Sequence, residues 1–277
     1  YGIAGHTASR PTVVDGTAYI MGGDSHGHAV DVTTGRRRWR VEFPDDGTVA
    51  PVVTDGLVFF GHYYGRLVAV DDAGRKRFGV PVGDLVTVDP AFADGVLYAG
   101  HATGRLRAFD IETGRTVWER FEREGWLSQP TVVGETVYVT YERVDRRNSG
   151  VLYALDASDG SVRWRFESVG QDGVAVADGT VFVAAENGDV VALDATSGSR
   201  EWRTRIGREG SYHALCVVND VVYIPNSEAE IIALDASTGE VSWTYDTRFA
   251  LTGALAVADG SIYVSGMDGH VHALREP

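Results

Sequence analysis

The sequence predicts an all-β chain, a propeller of seven four-stranded antiparallel blades with eight as the alternative count, and three observations predict it. A motif of the form L-D-x-x-x-G-x-x-x-W recurs along the 277 residues. A second motif, P-x-V-x-D-G-x-x-Y/F, stands upstream of each copy. The aspartates of the first motif fall at 31, 71, 110, 156, 194 and 235, roughly 40 residues apart, which is the length of one four-stranded blade.

Each repeat reads as strands a to d. Strand a is the P-x-V-V segment, as in PTVVDGTAY (11–19), PVVTDGLVF (51–59), PAFADGVLY (90–98) and PTVVGETVY (130–138), with looser copies at 174–182, 215–223 and 255–263. Asp-Gly between two apolar runs is a hairpin signal, because both central positions of a tight turn need positive φ. Strand b follows, with an aromatic residue at its centre. A variable polar turn leads to strand c, the x-L-x-A-L segment. Strand d carries the tryptophan and follows the turns VDVTTGRRRW (30–39), FDIETGRTVW (109–118), LDASDGSVRW (155–164), LDATSGSREW (193–202) and LDASTGEVSW (234–243). The copy VDDAGRKRF (70–78) is one residue shorter and has Phe78 in the aromatic place.

The expected roles in these turns are structural. Asp31, Asp110, Asp156, Asp194 and Asp235 accept backbone N–H bonds across their turns, and Trp39, Trp118, Trp164, Trp202 and Trp243 fill the space between neighbouring blades. One domain over 1–277 is expected, with repeats at about 11–46, 47–84, 85–125, 126–168, 169–207, 208–248 and 249–277. The last repeat ends where its strand d should begin.

Composition bounds the partners. The chain holds 39 acidic against 25 basic residues, a formal net charge of −14, and Lys76 is its only lysine. An acidic chain almost without lysine suits a protein working in molar salt, where screening at about 3 Å removes carboxylate repulsion. A halophilic archaeal source is therefore expected. There is no basic face to neutralise phosphates, which excludes nucleic acid as a partner. No apolar run is long enough to span a bilayer, and residues 1–11 carry no signal-peptide pattern. Cys216 is the single cysteine. It sits in the apolar run ALCVV and reads as a small buried hydrophobe with no base beside it.

The A-L-D-x-x-T-G-x-x-x-W copies resemble the tryptophan-docking repeats of the pyrroloquinoline-quinone-like β-propeller superfamily. That group includes the quinoprotein alcohol dehydrogenases and the BamB-like outer-membrane assembly lipoproteins. The resemblance covers essentially the whole chain and implies the fold, not one function. The dehydrogenase branch implies quinone and calcium, an adjacent-cysteine disulfide, and Glu, Asn and Asp as ligands. One cysteine cannot form that disulfide, and Glu186-Asn187 matches the ligand set only superficially. The BamB-like branch implies docking of partner proteins at the cell envelope.

The expected function is accordingly a non-catalytic interaction or envelope-assembly scaffold, placed at the cell surface or outside the cell. Its expected partner is another protein or a second copy, and no catalytic residue, cofactor or metal is assigned. The alternatives are a quinone-dependent dehydrogenase and the sensor or adhesion module of a larger surface protein. Recognition in repeat folds concentrates on the variable loops. Repeat four inserts YERVDRRNSG (141–150) after strand b, and Trp126 is the only tryptophan outside the repeat position. Trp126, Arg143, Arg146 and Arg147 have the composition of an interface hot spot. Aligning the strand a starts gathers His6, Arg10, Asp89, Gln129, Asp172 and His213 around a candidate funnel. Asp24-Ser-His26-Gly-His28 places two imidazoles on one side of a strand, as a metal site needs, but in a turn where polar residues are expected anyway.

Overall fold

The structure is a computed structural model and describes residues 2, 9–45, 47, 49–54, 56–62, 65–81, 88–100, 104–121, 125–144, 150–185, 188–207, 215–226, 228–251, 255–258, 260–268 and 270–275. None of these is helical. The chain forms two compact units, Tyr1–Glu135 with Ala157–Gly160 and Thr136–Asp156 with Ser161–Pro277.

The first unit holds three four-stranded antiparallel meanders. They are β1 (Thr12–Val14), β2 (Thr17–Gly22), β3 (His26–Asp31) and β4 (Arg37–Glu42); β5 (Val52–Thr54), β6 (Leu57–His62), β7 (Arg66–Asp71) and β8 (Lys76–Pro81); and β9 (Ala91–Ala93), β10 (Val96–Gly100), β11 (Leu106–Asp110) and β12 (Thr116–Arg120). Two short strands follow, β13 (Gly125–Leu127) and β14 (Thr131–Val133). The short first strands β1, β5, β9 and β14 are successive neighbours.

The second unit holds β15 (Thr136–Arg143), β16 (Gly150–Asp156), β17 (Val162–Ala177), β18 (Thr180–Ala185), β19 (Asp189–Asp194) and β20 (Arg200–Arg205), paired in that order in one sheet. A four-stranded sheet follows, β21 (Cys216–Val218), β22 (Val221–Pro225), β23 (Glu230–Asp235) and β24 (Val241–Asp246). The last sheet has three strands, β25 (Ala256–Ala258), β26 (Ser261–Ser265) and β27 (Val271–Arg275). The 16-residue β17 joins two repeats. It pairs with β16 through Trp164 and with β18 through Val174 to Ala177, and its register with β18 shifts between Val169 and Val174. The sequence boundary between the fourth and fifth repeats, at 168 and 169, therefore falls inside a single strand.

Local chemistry explains the repeat. Asp15-Gly16, Asp94-Gly95 and Asp178-Gly179 all have both residues at positive φ, the two-residue hairpin whose twist matches the strands. In the c–d turns of the first, third, fifth and sixth repeats one carboxylate gathers the loop. Asp31 Oδ1 accepts the Thr34 N–H at 2.8 Å and its hydroxyl at 2.9 Å. Asp110 binds Thr113, and Asp194 binds Ser197, in the same way. Asp235 accepts from Ser237 and Thr238. The shortened turn of the second repeat keeps the device with backbone donors alone, Ala73 and Arg75.

The tryptophans dock on the turn of the next repeat. Trp39 donates to the Asp72 carbonyl at 2.8 Å, Trp118 to Ala157 at 2.8 Å, Trp164 to Ala195 at 2.9 Å and Trp202 to Ala236 at 2.8 Å. The acceptor is always the residue after the turn aspartate. The turn glycine lies flat on the indole, and a Cβ on Gly160 or Gly198 would come within 2.7 or 2.6 Å of the ring. Phe78 meets Gly114 at an ordinary 3.9 Å from a built Cβ and has no N–H to donate. Strand b adds a second aromatic to each pair, as in Tyr98 with Trp118 and Tyr138 with Trp164, with ring centroids 5.7 and 5.8 Å apart. Between these rings lie apolar clusters, Phe59, Leu67, Leu97 and Phe109 in the first unit and Leu152, Val181, Val183 and Leu193 in the second. Each fully buried side chain of this size contributes roughly 1.5–3 kcal/mol.

Candidate functional site

Three residues aligned on the strand a starts come together in the first unit. Arg10, Asp89 and Gln129 each stand immediately before the proline that opens a repeat, as does Ala50. Proline has no N–H and holds the preceding residue extended, so these four positions present their side chains beside the strand starts. Arg10 Nη2 donates to Asp89 Oδ2 and, at 3.2 Å, to Gln129 Oε1. Asp89 Oδ1 accepts the Ala50 N–H at 2.6 Å. Arg10 of the first repeat thus meets Asp89 of the third, with Ala50 of the second also on the lining. The Asp89 side chain is 13% exposed and that of Arg10 64% exposed. Together with Pro11, Thr12, Pro51, Val52 and Pro90 they line a cleft of about 300 Å³.

A second surface feature is Trp126. Strand alternation along β13 turns Leu127 inward, where its Cδ1 lies 3.2 Å from the Cβ position of Gly100, and leaves Trp126 55% exposed. Trp118 and Trp164 are below 10% exposed. An indole in water forgoes the large apolar burial that the repeat tryptophans obtain. Of the arginines grouped with it in sequence, Arg143 ends β15, and nothing is described of its side chain; Arg146 and Arg147 lie outside the described residues.

The histidine turn is organised by its own aspartate. His28 Nε2 is 2.9 Å from Asp24 Oδ1, and His26 Nδ1 is 2.6 Å from the Asp24 carbonyl. Burial alone pushes the Asp24 carboxyl up, but the His28 hydrogen bond and the charge of both imidazoles outweigh it and hold the group below the usual carboxylate range. The last repeat repeats the arrangement, a likeness the sequence reading missed although Asp268-Gly-His270-Val-His272 has the same spacing. There His272 Nε2 is 2.9 Å from Asp268 Oδ2 and stacks on Phe249. The His270 N–H, with the two imidazoles, holds the Asp268 carboxyl down. Among the described residues no three His, Cys, Asp or Glu side chains are arranged to hold a metal ion.

Cys216 opens β21, half-buried, and burial pushes its thiol up to about 11, the opposite of what a nucleophile needs. Asp172 lies within β17, and nothing is described of its side chain. His6, His213, Glu186 and Asn187 lie outside the described residues. Among the described residues no helix is long and apolar enough to cross a membrane.

The family described as outer membrane protein assembly factor BamB matches residues 23–166 and 147–276. No curated protein sequence matches the chain. In fold the chain is similar to BamB from Moraxella catarrhalis, with a TM-score of 0.79 and 22% identity over 96% of this chain and 82% of that one. It is also similar to a europium-containing methanol dehydrogenase, at TM-score 0.78 and 14% identity over 98% of this chain and 76% of that one. The computationally designed Ika8 protein gives 0.62 and 16% over 99% and 98%. The blades described above are thus those of a β-propeller fold.

Proposed function

The chain belongs to the family described as outer membrane protein assembly factor BamB, and from that premise we propose that it is a non-catalytic scaffold that docks a partner protein at the cell envelope or outside the cell. The observation that carries this reading is Trp126, 55% exposed on a short strand of its own. Exposed tryptophans are the residues around which interface energy concentrates. The arginine-bearing insertion at 141–150 supports the same surface by sequence. We place seven blades in the ring, eight being the alternative, and a host living in high salt, which the net charge of −14 and the single lysine support.

A second reading, a quinone-dependent dehydrogenase, is favoured by the likeness to the methanol dehydrogenase. The residues present do not fit that cofactor. The sequence holds one cysteine, Cys216, so the vicinal disulfide that would lie against a quinone cannot form within it.

The test is purification of the tagged protein from its own host, followed by native mass spectrometry, for the wild type and for Trp126→Ala. The expected result is a stoichiometric protein adduct, or a regular homo-oligomer, in the wild type that weakens at least about tenfold in the variant. The thermal midpoint should stay unchanged. Unchanged retention in the variant, or a retained quinone with a divalent ion, would overturn the reading.

A further inference from the structure

We infer that the cleft between Arg10, Asp89 and Gln129 binds a single carboxylate carried on a small apolar body. This inference is independent of the docking role assigned to Trp126.

The argument begins with which hydrogen-bonding groups remain free. Both Asp89 oxygens are engaged, Oδ2 by Arg10 and Oδ1 by the Ala50 N–H at 2.6 Å, and Gln129 Oε1 accepts from Arg10 at 3.2 Å. Thr12 spends its hydroxyl proton on the Pro51 carbonyl at 2.6 Å. What is left is a set of donors. A guanidinium has five N–H groups and a primary amide two. The Arg10 Nη1 and Nε groups and the Gln129 Nε2 amide have no partner among the described residues. The lining therefore asks its occupant for acceptors.

Charge and shape narrow the class. Arg10 and Asp89 cancel each other, so any anion meets some repulsion from Asp89; the remaining Arg10 and Gln129 donors offset it for one negative charge, and a dianion such as phosphate doubles it. A carboxylate is the singly charged group that arginine favours. The walls are three proline rings and Val52, whose side chains bring alkyl surface and no donor. A volume of about 300 Å³ holds about ten non-hydrogen atoms, taking a water's share of liquid volume as the measure. That is the size of one acidic residue, or of a small organic acid.

The probes are N-acetyl-L-proline and its amide, N-acetyl-L-prolinamide, titrated into the isotope-labelled full chain. The readouts are the Gln129 side-chain amide and the Arg10 Nε–H resonances. A pentapeptide, acetyl-Gly-Pro-Glu-Pro-Gly-amide, and its Gln counterpart form a second arm. The expected result is that both acids shift these resonances and bind about tenfold more tightly than their amides. Arg10→Gln, at an exposed position, should erase the difference between acid and amide. Asp89→Asn keeps an acceptor for the Ala50 N–H and removes the competing charge, so it should tighten acid binding several-fold. A residue that merely held the loops together would not produce that sign. Stronger binding of the glutamyl peptide than of the free acid assigns the carboxylate to a protein chain, and the reverse order assigns it to a metabolite; both support the site. Equal affinity for acid and amide, or an undiminished preference in Arg10→Gln, overturns it.

Discussion

Gly239 lies against the indole of Trp202 so closely that a Cβ there would stand 2.5 Å from the ring, while the same turn is tied by the Trp202 N–H to the Ala236 carbonyl at 2.8 Å. The glycine is also at φ +73, where any side chain is strained. Gly239→Ala should therefore combine overpacking with left-handed backbone strain, a loss of about 2–4 kcal/mol. Gly35 occupies the same turn position at φ +65 with nothing within 4 Å of a built Cβ. Gly35→Ala should cost only the backbone part, about 1 kcal/mol. Urea unfolding of the two variants checks the difference, and equal losses would show that the indole can move aside.

The sixth hairpin breaks the Asp-Gly rule. Asn219 and Asp220 sit at φ 50 and 62, the second of them in the conformation that Gly16, Gly56, Gly95, Gly179 and Gly260 fill in other hairpins. Asp220→Gly should stabilise the chain by about 0.5–1 kcal/mol, the relief of left-handed strain less the entropy of a freer unfolded chain. The observable is a higher thermal midpoint with an unchanged denaturant slope.

Acid should loosen the turns together. The Asp31 carboxyl is held far below the usual range by Arg38 and Thr34, Asp110 by the Thr113 hydroxyl, Asp194 by that of Ser197 and Asp235 by that of Ser237. A carboxyl depressed in the folded chain contributes stability that is fully present above the unfolded value near 4 and disappears as pH falls through the folded one. Thermal midpoints should be flat from pH 7 to 5 and fall steeply below about 4. Asp235→Asn should start lower at neutral pH and lose less on acidification. A variant that tracks the wild-type slope would remove this turn from the account.

Cys216 should be slow to alkylate. A thiol raised to about 11 from 9.0 carries roughly a hundredfold less thiolate than an unperturbed one at pH 8. Iodoacetamide labelling followed by mass spectrometry measures this directly. Labelling at the rate of a free thiol in the folded protein would contradict the burial of the β21 start.

The repeat was legible because its information is local. The aspartate, the hydroxyl two or three residues on, the glycine and the tryptophan lie within one ten-residue window, and each makes the bond its chemistry suggests. Gathering Arg10, Asp89 and Gln129 needed only the alignment of residues before proline. Their ion pair was not legible, because it joins residues 79 positions apart whose distance is set by the packing of the first strands and not by any local pattern. The continuity of β17 was hidden for a similar reason. Ser168 to Gly173, with two glycines and polar residues, has the composition of a loop; Val169 alone in it pairs on both sides, with Gly150 and Ala185, and Gly173 at φ 75 falls where the register with β18 shifts. The second Asp-His pair, Asp268 with His272, carried a readable signal, the spacing already noted at Asp24 and His28.

The strand from Val162 to Ala177 also bears on how the chain comes apart. In a propeller whose sheets are separated by loops, one blade can fray while its neighbours stay protected from solvent exchange. Here the outer strand of one sheet is the inner strand of the next, so opening either pulls on the backbone of the other. Amide protons from Thr136 to Arg205 should therefore exchange as a single cooperative block with one opening free energy, with the three-stranded sheet Ala256–Arg275 exchanging ahead of it.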